Sequence, residues 1–380
     1  MSEGQRSEGL PPEVKAFLDE SVRGGVISAA VSLHGTAEEV QWEGAVGWAR
    51  EGVPAELSTR FDFASLTKPF VASLALVLDA EGALALGTRI GEVWPEAHGK
   101  LARRTLEDLL RHRSGLVGWT PLYQRCTSIE EAFDLIARGG RDGDLVGARA
   151  GTYSDLGYML WGAAAERRTG EPLAELLRSR VLAPLGLTAV EASPGDLPDL
   201  AESRMGTGKE IELAAKQGFD VPDLGPPPVG LPQDGNARFL LGLGTAGRVF
   251  GHAGLFGGVR DLWRLGAEWL APGRLLKPEG MAAALEGGGP FALGWWRRTL
   301  RNSAGRALPP TAFGITGFAG NSFWIDPERR RMFVLLGSRL DPAMDMNRWR
   351  RRFHTLAAPL GLSNLEKSLK REGGIADGTS

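Results

Sequence analysis

Ser65 and Lys68 stand three residues apart at the head of an apolar run, in Phe61-Asp-Phe-Ala-Ser-Leu-Thr-Lys-Pro-Phe70. Residues i and i+3 share one face of a helix, so a helix here sets the Lys68 amine beside the Ser65 hydroxyl. That pairing suits a serine nucleophile with an amine as its base, provided burial or nearby positive charge lowers the lysine pKa. Phe61, Phe63 and Phe70 offer an apolar surround for such a lysine. In the first turn of the helix, unpaired N–H groups and the helix dipole also favour a developing oxyanion. Pro69 is compatible with a helix only because it lies so near the start. The motif is short, and chance alone gives about 0.4 such matches in a chain of this composition. A capping serine with a solvated lysine therefore stays open at this point. Only eight of the 44 basic residues are Lys, yet Lys, which can lose its proton where Arg cannot, stands at Ser65+3.

Two further segments could supply partners. In Gly151-Thr-Tyr-Ser-Asp155, just before an apolar stretch, Tyr153 can present a phenol to a cleft, or can be a core aromatic with a locally bonded hydroxyl. In Phe313-Gly-Ile-Thr-Gly-Phe-Ala-Gly320, the glycines either let a substrate approach a strand edge or form an ordinary turn. Other chemistries find less support. The five histidines (34, 98, 112, 252 and 354) have no metal-binding spacing, and Cys126 is the sole cysteine. There is no phosphate-binding glycine loop, so neither metal nor cofactor is expected. A net charge of −2 gives no general attraction to nucleic acid or to an anionic membrane. The polar first residues lack a leader pattern, and the apolar runs are too short to span a bilayer, so a cytoplasmic location is expected.

The elements that must position these residues follow from periodicity. A short amphipathic helix is expected from Pro11 to Arg23, then strands over 26–33 and 40–48, then the apolar helix ending at Gly82. Helices are expected after Thr105 and Ser128, over 155–168, 172–181, 261–270, 278–285 and 344–360. Met205 to Asn236 reads as a long loop, with Pro226-Pro227-Pro228 within it. A strand is expected over 291–296, and a hairpin over 321–337 with Asp326–Arg329 as its turn. Strands thus stand at both ends of the chain around a mostly helical block. The predicted fold is α/β of the α+β type: one antiparallel sheet built from both ends, flanked by helices, with a helical insertion. Residues 11–75 and 290–365 form the sheet-and-helix part and 76–289 the insertion, with disordered tails at 1–10 and 371–380. A cleft between the two parts is the expected site.

Taken together, Ser65-x-x-Lys68, Tyr153-Ser-Asp155 and Ile315-Thr-Gly317 resemble, in order and spacing, the serine β-lactamase and penicillin-binding protein superfamily. The flanks Leu109-Leu-Arg-His-Arg-Ser-Gly-Leu116, Leu182-Ala-Pro-Leu-Gly-Leu187, Gly251-His-Ala-Gly-Leu-Phe256 and Ser322-Phe-Trp-Ile-Asp-Pro327 are similar to its class C-like branch of esterases and D-aminopeptidase-type enzymes. The resemblance implies that Ser65 is acylated, that Lys68 and Tyr153 share proton transfer, and that the backbone N–H groups of Ser65 and Phe318 form the oxyanion hole. It implies substrate contacts from Asp155, His252, Ile315, Thr316 and Gly317, although His252 can equally be a capping or core histidine. Two positions depart from the pattern. Ile315 stands where the family has Lys, His or Trp, and Asp155 where Asn is common. Both changes disfavour anionic ligands and point to a small neutral ester or amide as substrate. A non-catalytic binding protein on this fold and a true β-lactamase or DD-peptidase are the alternatives. Oligomeric state is not legible.

Overall fold

A computed structural model describes residues 9–149, 151–241 and 247–358. Except for Gly9 and Leu10, both expected tails fall outside the described residues. Among the described residues ten strands form: β1 (Ile27–Gly35), β2 (Val40–Arg50), β3 (Val53–Pro54), β4 (Phe61–Asp62), β5 (Glu191–Ala192), β6 (Leu255–Gly257), β7 (Trp296–Arg297), β8 (Phe313–Thr316), β9 (Ser322–Asp326) and β10 (Arg331–Arg339). Seven of them make one antiparallel sheet in the order β3-β2-β1-β10-β9-β8-β7, which joins the two ends of the chain through the β1–β10 ladder. The other three make a small sheet, β4-β6-β5.

The sheet is covered on both faces, and alternation along each strand assigns the side chains. On β10, Met332, Val334 and Leu336 join the main core, while Phe333 and Leu335 join a second layer. That second layer is closed by α1 (Pro12–Arg23), through Val14, Phe17 and Leu18, and by a helix over 346–358, through Met346, Trp349 and Phe353. A bulge between Ile27 and Ala29 explains why these two residues, of equal parity, face opposite layers.

On the other face lies α4 (Val259–Leu270), and beyond it α2 (Thr67–Ala80), tied to it by the Trp269 Nε1–H bond to Ser73 Oγ at 3.0 Å. Ten of the fourteen residues of α2 are buried, as expected of a helix apolar all round. Each of Phe70, Val71, Leu74 and Leu78 contributes about 1.5–3 kcal/mol by burial, and truncating one to Ala costs about 2–5 kcal/mol. Another helix central to the site is α3 (Asp155–Thr169), capped by the Ser154 hydroxyl. Among the described residues, no helix is long and apolar enough to cross a membrane.

Candidate active site

Ser65 does not open the α-helix. It sits in a 3₁₀ turn, Ala64–Leu66, immediately before α2. Ala64 has φ +47°, a left-handed conformation that an L side chain resists. The turn is held from three directions. The Asp62 carboxylate accepts the Ala64 N–H at 2.8 Å through Oδ1 and the Gln233 N–H at 2.7 Å through Oδ2. Asn321 Nδ2 donates to the carbonyls of Asp62 and Phe63, and its Oδ1 accepts the Gly337 N–H of β10. Burial pushes the Asp62 carboxyl up to about 6.

Lys68 Nζ and the Tyr153 hydroxyl each lie 2.9 Å from Ser65 Oγ. Lys68 also pairs with Asp155 Oδ1 at 2.7 Å and donates to the His252 carbonyl at 3.1 Å. The Ser-x-x-Lys spacing therefore brings its two side chains together, but the charge state differs from the sequence expectation. Burial alone would lower the Lys68 pKa; Asp155 and then Tyr153 outweigh it and hold the ammonium above its ordinary value. Burial is also the largest influence on Tyr153, whose pKa is raised although the Lys68 charge opposes this.

Tyr153 is fixed by packing rather than by its own helix. His112 packs against it at a tilt, 4.4 Å between centroids, and Trp296 meets it edge-on at 5.3 Å. His112 Nδ1 accepts the Ser154 N–H at 2.9 Å, and Gly118 O accepts the Asp155 N–H at 2.9 Å. These bonds pin the turn that carries Tyr153 and Asp155.

The Ser65, Lys68 and Tyr153 cluster opens into a cleft of about 340 Å³ whose lining includes Ser65, Trp119, Tyr153, Asp155, Trp296 and Phe318. Among the described residues, no backbone hydrogen bond outside the helices and strands engages the Ser65 or Phe318 N–H, which suits both to an oxyanion. Thr316 and Gly317 line the cleft beside them. A Cβ at Gly317 would lie 2.9 Å from the Phe63 carbonyl, so glycine lets the edge of β8 approach the turn that carries Ser65. Ile315 is placed differently. It is 1% exposed, belongs to the apolar core and does not line the cleft. Arg339 and Arg350 do line it, and Arg350 donates to the Gly317 carbonyl at 2.6 Å. Cationic groups therefore reach the cleft from positions other than 315.

His252 also lines the cleft, and Gly251 explains how. A Cβ at Gly251 would lie 2.1 Å from the Tyr158 carbonyl, so only glycine lets this segment lie against α3. The His252 ring pairs through Nε2 with Asp234 Oδ1 at 2.9 Å. Asp234 belongs to the stretch 205–236, which reads as a loop but contains a helix, Gly208–Ala215, and brings Gln233 and Asp234 to the cleft wall. Glu210 on that helix accepts the Gly235 N–H, and burial, with Asp234 close by, pushes its carboxyl up to about 8. Sequence reasoning missed Asp62, Glu210, Asp234, Asn321 and Arg350. Each meets partners far away in the chain, and none carries a local pattern. No group of three or more metal-ligating side chains is assembled among the described residues.

Fold and site geometry together define a class, the serine β-lactamase and penicillin-binding fold. The chain belongs to the Beta-lactamase family, whose sequence model matches residues 14–357. Esterase EstB of Burkholderia gladioli is 29% identical over 362 residues, covering 83% of this chain and 87% of that protein. The N-acetylmuramyl-L-alanine amidase of Bacillus subtilis is 27% identical over 338 residues, 77% and 73% of the two chains. Among solved structures, EstCE1, a hydrolase with promiscuous acyltransferase activity, superposes with a TM-score of 0.70 at 20% identity, over 90% of this chain and 97% of that one. A penicillin-binding protein homologue from Caulobacter crescentus gives 0.69 at 22% identity, over 93% and 98%.

Proposed function

We propose that the protein is a serine hydrolase that cleaves small esters or amides through an acyl-enzyme on Ser65. The observation that carries this reading is the convergence of Lys68 Nζ and the Tyr153 hydroxyl on Ser65 Oγ, both at 2.9 Å. Ser65 Oγ attacks the substrate carbonyl, and the oxyanion forms against the Ser65 and Phe318 N–H groups, each worth about 10²–10³ in rate in such sites. Lys68 is held as an ammonium by Asp155, so it takes the serine proton only as it passes one on to the carboxylate. Tyr153 then protonates the leaving group and regains its proton from Asp155 through Lys68. Trp119, Trp296 and Phe318 supply apolar walls for the substrate. An esterase and an amidase among the relatives support a carbonyl substrate with either leaving group. The division into 11–75 with 290–365 and 76–289 is part of this reading, with the cleft drawing residues from both parts.

A second reading, a peptidase or β-lactamase acting on an anionic substrate, is favoured by the guanidinium groups of Arg339 and Arg350 on the cleft wall. Steady-state hydrolysis of p-nitrophenyl butyrate against nitrocefin and a D-alanyl-D-alanine peptide separates the two. The ester is expected to turn over with a kcat/KM at least tenfold above the others, and Ser65→Ala to abolish it. Faster turnover of nitrocefin or the peptide would establish the second reading instead.

A further inference from the structure

A second cavity, of about 670 Å³, borders the cleft. The two share one wall, formed by Trp119, Tyr153, Asp155 and Leu213. Two segments build it. The Gly118 carbonyl accepts the Asp155 N–H at 2.9 Å, which sets Trp119 beside the turn that carries Tyr153. Leu213 belongs to the helix Gly208–Ala215, and just beyond that helix Gln217 Nε2 donates to the Trp119 carbonyl at 2.9 Å. A group bound against this wall therefore lies next to Tyr153, whose hydroxyl is 2.9 Å from Ser65 Oγ.

The second cavity suits an uncharged occupant. Arg125 on its wall is neutralised by Asp144 at 2.7 Å, and its guanidinium lies 5.6 Å from the Phe219 ring. Asp155 is likewise neutralised by Lys68 at 2.7 Å. Val117, Leu145, Leu213 and Phe219 supply apolar surface between these pairs. An ion placed there would lose its water without gaining a free partner, whereas an apolar chain only loses contact with water. The cleft also distinguishes the two arms of a substrate. Arg339 and Arg350 line it but do not reach the second cavity. Negative charge grows on the leaving atom as its bond to the carbonyl carbon breaks. That charge is favoured toward two guanidinium groups and disfavoured toward the Asp155 carboxylate. The leaving group therefore faces Arg339 and Arg350, and the acyl arm, uncharged throughout, faces Trp119 and Leu213.

We infer that the second cavity takes the acyl chain of the substrate, and that the enzyme prefers esters or amides of medium-chain fatty acids to those of short-chain acids. This rests on the acyl-enzyme reading of Ser65 and adds no chemical step to it. The carbonyl oxygen points to the Ser65 and Phe318 N–H groups, and the chain passes along Trp119 and Leu213 into the cavity. A methylene fully buried there is worth about fourfold in binding, and a half-buried one about twofold. Val117 and Phe219 line the second cavity and not the cleft, so they set how long a chain fits without touching Ser65, Lys68 or Tyr153.

The test is a chain-length series on each arm of the substrate, with kcat/KM measured below the micellar concentration of every ester. In the parent, p-nitrophenyl octanoate should exceed p-nitrophenyl butyrate by at least tenfold, about twofold for each of the four added methylenes. Octyl acetate should differ from butyl acetate by less than threefold. Val117→Trp fills the cavity and should bring the octanoate-to-butyrate ratio to within threefold of one. Phe219→Ala removes a wall and should cut the same ratio by at least threefold; it serves if the tryptophan variant does not fold. A parent with no gain from butyrate to octanoate would overturn the proposal. So would a gain that follows the alcohol arm, or an acyl-arm gain that survives both substitutions. A parent that turns over no ester and forms no acyl adduct by intact mass would overturn the acyl-enzyme reading itself.

Discussion

Replacing Asp155 with Asn should convert Lys68 from a permanent ammonium into a group that can lose its proton at alkaline pH. The side chains are 18% and 1% exposed and their charges lie 2.7 Å apart. With an effective dielectric of about 20, that separation corresponds to about 6 kcal/mol as a ceiling. An asparagine oxygen keeps part of this as a dipole, so the Lys68 pKa is expected to fall without losing the whole of that energy. With the carboxylate gone, burial dominates and lowers the lysine pKa. The parent enzyme, with its carboxylate as proton acceptor, should hold its acylation rate across neutral pH. Asp155→Asn should lose acylation at and below neutrality and recover it along an alkaline limb as Lys68 deprotonates. The assay is burst-phase acylation by p-nitrophenyl acetate between pH 5.5 and 10. A variant profile that superposes on the parent's would refute the idea that Asp155 sets the charge of Lys68.

Three other perturbations follow from the packing. His34 is wholly buried between Trp42 and Phe333 with both ring nitrogens unpaired, and burial lowers its pKa from 6.5 to about 3, as it does that of His354. The unfolded chain binds more protons in this window, so stability is full above about pH 6.5 and falls by about 1.4 kcal/mol per unit per histidine toward pH 3; urea melts of His34→Leu should show a shallower acid decline. Gly251→Ala places a Cβ 2.1 Å from the Tyr158 carbonyl and should destabilise by about 1–3 kcal/mol or more. It should also slow acylation, because the His252 carbonyl that Lys68 uses must move; an unchanged melt would contradict the close approach. Ile315→His, which the sequence alone suggests as a way to recruit anionic substrates, should instead cost about 1–3 kcal/mol for an unpaired polar ring in the core, with no gain on anionic esters; such a gain would show that position 315 reaches the cleft.

The parts legible in the sequence were those with a local period. Ser65 and Lys68 lie one helical turn apart, and the hairpin ending in β10 is two apolar runs joined by the Asp326–Arg329 turn, so both the Ser65–Lys68 pair and the central sheet could be read from spacing. Tyr153 and the Ile315-Thr-Gly317 edge were found by order and flanks. What escaped is non-local. Asp62 matters because it joins Ala64 to Gln233, and Asn321 because it reaches back to the turn that carries Ser65; neither has a neighbour that announces it. The helix Gly208–Ala215 was hidden by the glycines and prolines around it. The strand expected over 291–296 shrank to Trp296–Arg297, since Gly294 at φ +84° turns the chain before a ladder can form. The charge of Lys68 could not be read either, because burial and the Asp155 pair oppose each other and only the 2.7 Å separation decides between them.

The most direct test of Ser65 as the nucleophile is covalent labelling by a fluorophosphonate, followed by intact mass and peptide mapping. One adduct per chain, located on Ser65 and absent from Ser65→Ala, is the expected result. A folded protein that takes up no label from pH 6 to 10, or takes it up at another residue, would contradict it.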